Sequence, residues 1–121
     1  MRRAVFALAV AFAMPAFGQP NTPAPAPGQQ VPARFHVVNA GREPIVAVSA
    51  SPVTDTSWGP NLIGRVYIPP GSSLAITPRE RNTCLFDLRI SWADGRHEER
   101  RRENFCGASR TYRVDGSTAQ R

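Results

Sequence analysis

Nine residues limit the fold of this chain more than any others: Cys84-Leu85-Phe86-Asp87-Leu88-Arg89-Ile90-Ser91-Trp92. The even positions carry Cys, Phe, Leu, Ile and Trp, while Asp87, Arg89 and Ser91 take alternate places between them. Side chains on a strand alternate between two faces, so this run predicts a strand with one apolar face and one polar face. Burying Phe86, Leu88 and Ile90 contributes about 1.5 to 3 kcal/mol each. A slip of one residue would expose all three, so this strand sets the register of its sheet. Ala93-Asp94-Gly95 then turns the chain, because Gly tolerates positive φ and the Asp side chain bonds the turn backbone. A three-residue loop there sets Arg89 opposite Glu99 and Asp87 opposite Arg101. The returning segment, Arg96 to Asn104, has no apolar residue on either face. It reads as an exposed edge strand whose charges discourage association with other sheets.

Cys84 and Cys106 sit at the start of the first of these strands and the end of the second, and they are the only two cysteines. A bond between them closes a loop of about 23 residues, which the chain-entropy argument values at about 3 kcal/mol. Setting Cys84 directly across from Cys106 needs a different register from the one the turn implies. A bulge and a diagonal disulfide both satisfy this. Two cysteines do not make a four-thiolate zinc site or an iron-sulfur cluster.

Elsewhere short apolar bursts alternate with Gly, Pro, Asn and Asp, the punctuation of an all-β domain. Strands are expected over Phe35 to Asn39, Ile45 to Ala50, Leu62 to Ile68, Leu74 to Thr77, Cys84 to Trp92, His97 to Phe105 and Thr111 to Val114. About seven short strands predict a small antiparallel β-sandwich or a partly open barrel. With twelve Pro and nine Gly in 121 residues, and no sustained apolar spacing at three and four, helix should be scarce.

The chain divides into four segments. Residues 1–18 have the parts of an export signal: Arg2 and Arg3, the apolar run Ala4 to Met14, and the small-residue exit Ala16-Phe17-Gly18. That run is too short to span a bilayer, so no transmembrane segment is expected once the signal is removed. The adjacent arginines leave both the general secretory and the twin-Arg routes open. Residues 19–33, with five Pro in fifteen residues, read as a disordered, semi-rigid linker. Residues 34–114 form the β domain, and 115–121 are expected to be a flexible tail. The expected location is therefore the periplasm or the medium, where a disulfide persists.

Read in order, Phe35-His36-Val37-Val38-Asn39, Ile45, Ala50-Ser51-Pro52, Ser57-Trp58-Gly59-Pro60-Asn61-Leu62-Ile63-Gly64, Ile68-Pro69-Pro70-Gly71, Cys84-Leu85-Phe86-Asp87-Leu88-Arg89, Ala93-Asp94-Gly95 and Cys106 resemble a group of small exported bacterial β domains, often labelled only as signal-peptide or twin-Arg-pathway proteins. The resemblance implies the β fold and export. It implies no catalytic residue and no activity.

The candidate binding residues fall in two places. The chain has 15 basic and 9 acidic residues, a formal charge of +6, and every basic side chain is Arg. Arg89, Arg96, Arg100, Arg101 and Arg102, extended by Arg110 and Arg113, make a candidate surface for an anionic partner. Outside the cytoplasm that partner is an envelope component or another envelope protein, and nucleic acid is not expected. The plainer reading is a solvated charged face. Trp58-Gly59-Pro60-Asn61 is a candidate interaction loop, whose Trp either stacks on a ligand or plugs the end of the sandwich. His36 and His97 lie on different predicted strands, and a metal site would need both to converge with a carboxylate such as Glu98 or Glu99, so no metal is expected; the alternative function is a small periplasmic hydrolase using His36 or His97 with carboxylates. No nucleophile elbow or zinc-protease pattern is present, and no cofactor is expected. The sequence thus predicts a non-enzymatic interaction or envelope-structural module.

Overall fold

The computed structural model describes residues 30–121. The signal expected over 1–18 and the linker residues 19–29 lie outside the described residues. Among the described residues six strands form: β1 (Phe35–Asn39), β2 (Ile45–Pro52), β3 (Ser73–Ile76), β4 (Leu85–Trp92), β5 (His97–Asn104) and β6 (Arg110–Val114). They build two three-stranded sheets, ordered β3-β1-β6 and β2-β4-β5. The second is antiparallel throughout, whereas in the first β1 runs antiparallel to β3 and parallel to β6. That parallel pair departs from an all-antiparallel sandwich. A parallel neighbour needs a long crossover, and the chain supplies it by building the second sheet between β1 and β6.

The alternation in β4 does what its pattern predicts. Phe86, Leu88 and Ile90 are fully buried and Trp92 is 1% exposed. They pack with Phe35 and Val37 from β1 and with Ile45, Val48 and Ala50 from β2. An aromatic stack ties the sheets together: Phe105 lies 4.7 Å from Phe35 of the first sheet and 5.0 Å from Phe86 of the second, centroid to centroid. Tyr112 meets Phe35 and Phe105 edge-on at 6.1 and 6.0 Å. The disulfide Cys84–Cys106, with 5.2 Å between Cα atoms, closes the hairpin beside this stack.

The hairpin register answers the question the cysteines raised. Arg89 faces Glu99 as the turn predicts, but the ladder shifts by one residue between Phe86 and Leu88, so Phe86 faces Glu103. The shift is a bulge in which Asp87 faces both Arg101 and Arg102, and Arg102 takes a φ of 54°. Beyond the bulge Phe105 N–H bonds the Cys84 carbonyl at 2.9 Å, leaving Cys106 one place further on. Both the bulge and the diagonal are used.

Three expectations are corrected. Leu62–Ile68 is not a strand but a series of turns along the open edge of β2, touching it through Leu62 N–H to the Val48 carbonyl (2.8 Å) and reciprocal bonds between Ile45 and Ile68 (3.0 and 2.8 Å). Gly64, at φ 59°, and the Asn61 side chain turn the backbone away from a continuous ladder. Residues 30–33, assigned to the linker, are already fastened to the domain: Pro32 bridges Cys106 and Ala33 N–H bonds the Phe105 carbonyl at 2.8 Å. Residues 115–121, expected as a free tail, fold against β5, where His97 and Gln120 exchange backbone bonds of 2.7 and 2.8 Å.

Candidate functional site

The outer face of the second sheet carries Ser49 and Ser51 from β2, Asp87, Arg89 and Ser91 from β4, and Glu99 and Arg101 from β5. Pairing sets Ser51 beside Asp87, and Arg89 between Ser49 and Glu99. The loop after β2 folds back over this face. Gly59 N–H donates to Ser51 Oγ at 2.7 Å, and a Cβ at Gly59 would lie 3.3 Å from that oxygen. Asn61 clamps the far end, its Oδ1 accepting from Val48 N–H at 3.0 Å and Ile63 N–H at 3.2 Å, and its Nδ2 donating to the Gly64 carbonyl at 3.0 Å.

These anchors hold Trp58, half-buried, against two guanidinium groups. Arg101 lies 5.0 Å and Arg89 5.6 Å from the indole centroid, both at cation–π distance. Trp58 therefore covers a sheet face and is not a plug in the end of the sandwich. Arg101 is held from three sides: Nη1 reaches Asp87 Oδ2 at 3.2 Å, Nη2 reaches Glu99 Oε2 at 2.6 Å, and the indole lies over it. The bond to Glu99, followed by that to Asp87, raises the Arg101 pKa. Asp87 Oδ1 also accepts the Arg102 backbone N–H at 3.0 Å, so one carboxylate holds both the bulge and the guanidinium. Arg89 faces Glu99 in register, yet Glu99 pairs with Arg101, and Arg89 Nε is buried without a hydrogen-bond partner among the described residues. Ser51, Asp55, Thr56, Ser57, Trp58, Asp87 and Arg101 line an open hollow of about 100 Å³.

The structure divides the five-arginine surface. Arg89 and Arg101 share the Trp58 face. Arg96 stays at the turn, bonded to Asp94 at 2.7 Å and to the Gly116 carbonyl at 3.2 Å, and it holds the Asp94 carboxyl below the usual range. Arg100 turns to the other face and pairs with Glu98 at 2.8 Å. Arg102 is exposed and makes no ion pair among the described residues. Of the extending residues, Arg110 pairs with Glu103 at 3.4 Å.

Two features of β5 are not visible in its charge run. Glu98 is 3% exposed, facing the core beside Ile90, and is satisfied by Arg100 and by Thr118 Oγ1 at 2.6 Å. Glu103 reaches across to the first sheet and accepts from the Tyr112 hydroxyl at 3.2 Å. Burial, and then the Glu103 charge, push the Tyr112 hydroxyl up to about 12. These groups close the open side of the sandwich between β5 and β6. Both carboxylates become legible only once β5 is known to lie beside the folded-back tail and β6.

His36 is on β1 and His97 on β5, in separate sheets. Among the described residues no three His, Cys, Asp or Glu side chains are grouped to hold a metal ion, and no helix is long and apolar enough to cross a membrane. No protein-family model, curated protein or solved structure matches the chain.

Proposed function

We propose that this chain is an exported binding module, acting in the periplasm or the medium by holding an envelope component and not by catalysis. The observation that carries the reading is the Cys84–Cys106 disulfide, which uses both cysteines to lock the hairpin that bears the Trp58 face. Such a bond persists in oxidising compartments and is rare in the cytosol. The Arg2-Arg3 and Ala4–Met14 signal agrees with it. The binding half of the proposal rests on the Trp58 face, where Asp55, Thr56, Ser57 and Trp58 of an anchored loop meet Ser51, Asp87 and Arg101 of the strands.

Fractionation of a bacterium expressing the full chain tests the reading. The expected product lacks about 18 N-terminal residues, leaves the cytoplasm, and takes up no alkylating agent until it is reduced. An unprocessed cytoplasmic product with two labelled thiols would refute it.

A further inference from the structure

We propose that the hollow beside Trp58 is a subsite for one neutral sugar ring of an envelope glycan, a deepening that rests on the binding-module reading above. Charge decides the ligand class first. Asp55, Asp87 and Glu99 stand against Arg89 and Arg101, three against two, so this face carries little net charge and attracts neither sign strongly. A free anion meets the carboxylates of Asp55 and Asp87 in the lining. A metal cation finds both Asp87 oxygens already engaged, one by Arg101 and one by the Arg102 N–H.

Hydrogen-bonding capacity then points to hydroxyl groups. Among the described residues the side chains of Asp55, Thr56 and Ser57 spend no hydrogen bond on the protein, and Ser51 accepts from Gly59 while keeping its own proton to donate. Arg101 uses two N–H groups on carboxylates, leaving three of the five that a guanidinium carries. The lining thus offers acceptors and donors side by side. A sugar hydroxyl is both donor and acceptor, and neighbouring hydroxyls match a carboxylate next to a guanidinium. Trp58 belongs to the same lining, and the part of its indole not covered by Arg89 and Arg101 supplies an apolar surface for C–H groups of the ring.

The site is also held ready. Gly59, Asn61, Asp87 and Glu99 fix the loop and the guanidinium before any ligand arrives, so little ordering remains to be done on binding. Its volume of about 100 Å³ limits it to a single ring or part of one. A contact of that size gives dissociation constants on the order of 1 to 50 mM, which a repeating polymer strengthens by presenting many copies.

The test is a ¹H–¹⁵N titration of the labelled protein, expressed from the full chain with its disulfide intact. Glucose, galactose and N-acetylglucosamine are added in turn, with sodium phosphate and calcium chloride as controls at constant ionic strength. At least one sugar should move the Trp58 indole and Arg101 Nε resonances saturably, while the buried Trp92 indole stays in place. Trp58→Ala and Asp55→Ala should each weaken the response about tenfold or more. Asp55 is exposed, so its variant should otherwise keep the parent spectrum. The proposal is overturned if no sugar of the three gives a saturable shift, if phosphate or calcium moves the same resonances more strongly, or if both variants respond like the parent. A stronger phosphate response would restore the arginine surface as the binding site. None of these outcomes bears on export, which fractionation reads separately.

Discussion

Arg102 holds a φ of 54°, a conformation that glycine adopts freely and a residue with a Cβ occupies at a cost of about 1 to 2 kcal/mol. Asp87 sustains it by accepting the Arg102 N–H on one carboxylate oxygen while the other holds Arg101. Arg102→Gly should therefore leave stability unchanged or raise it by up to about 1 kcal/mol, whereas the β-branched Arg102→Val should lower it by about 1 to 2 kcal/mol. Urea midpoints of the two variants decide this, and equal losses in both would show that the backbone there is relaxed. Tyr112 makes a second prediction at this scale. Its hydroxyl titrates in the fold at about 12 against an ordinary 10.0, so the neutral form is the one the fold favours. The resulting stabilisation is complete below pH 10, where both states are neutral, and is lost as the pH rises towards about 12. Urea midpoints taken from pH 9 to 12 should fall more steeply for the parent than for Tyr112→Phe.

At the scale of elements, β5 is an edge strand whose two ends are held differently. Near its start the folded-back residues 118–120 cover it, and Glu98 is buried beneath Arg100 and Thr118. A charge run read from sequence suggests that Arg100, Arg101 and Arg102 can all be replaced at little cost, as exposed ion pairs contribute only about 0 to 1 kcal/mol. The structure separates them. Arg100→Ser removes a partner from a buried carboxylate and should cost about 1 to 3 kcal/mol, measurable by urea unfolding, while Arg102 carries no such penalty. An Arg100→Ser variant as stable as the parent would mean that Thr118 alone satisfies Glu98. At its far end β5 is fastened by the disulfide. Replacing Cys84 and Cys106 together by Ser should lower stability by about 3 kcal/mol, with the β-rich circular dichroism retained below the new transition.

For the molecule as a whole, the two sheets share one core, and the stack of Phe35, Phe105 and Phe86 crosses between them. Phe105 belongs to neither sheet yet is 1% exposed, so it acts as the wedge that couples them. Phe105→Ala should cost about 3 to 5 kcal/mol, a large share of the 5 to 15 kcal/mol typical of a domain. One core also predicts one transition: Trp fluorescence and far-ultraviolet circular dichroism should melt together. Separate transitions would mean that the sheets fold independently.

The sequence by itself determined the elements whose pattern is local. The alternation of β4, the Asp94-Gly95 turn and the Arg89–Glu99 register follow from side-chain period and turn chemistry, which depend on neighbours within a few residues. The disulfide pairing was legible too, since only two cysteines exist and both lie at hairpin ends. What only the tertiary structure decided depends on segments distant in the chain. Leu62–Ile68 has strand-like composition, but Asn61 and Gly64 give its backbone other bonds and β2 needs only a cover for its edge. Glu98 looks like one solvated charge among many, and its burial follows from Thr118 twenty residues later. The Trp58 face was divided in the sequence between a loop and a charge run. A serine and two carboxylates bring them together, because a sheet places residues side by side according to register and not according to their order along the chain.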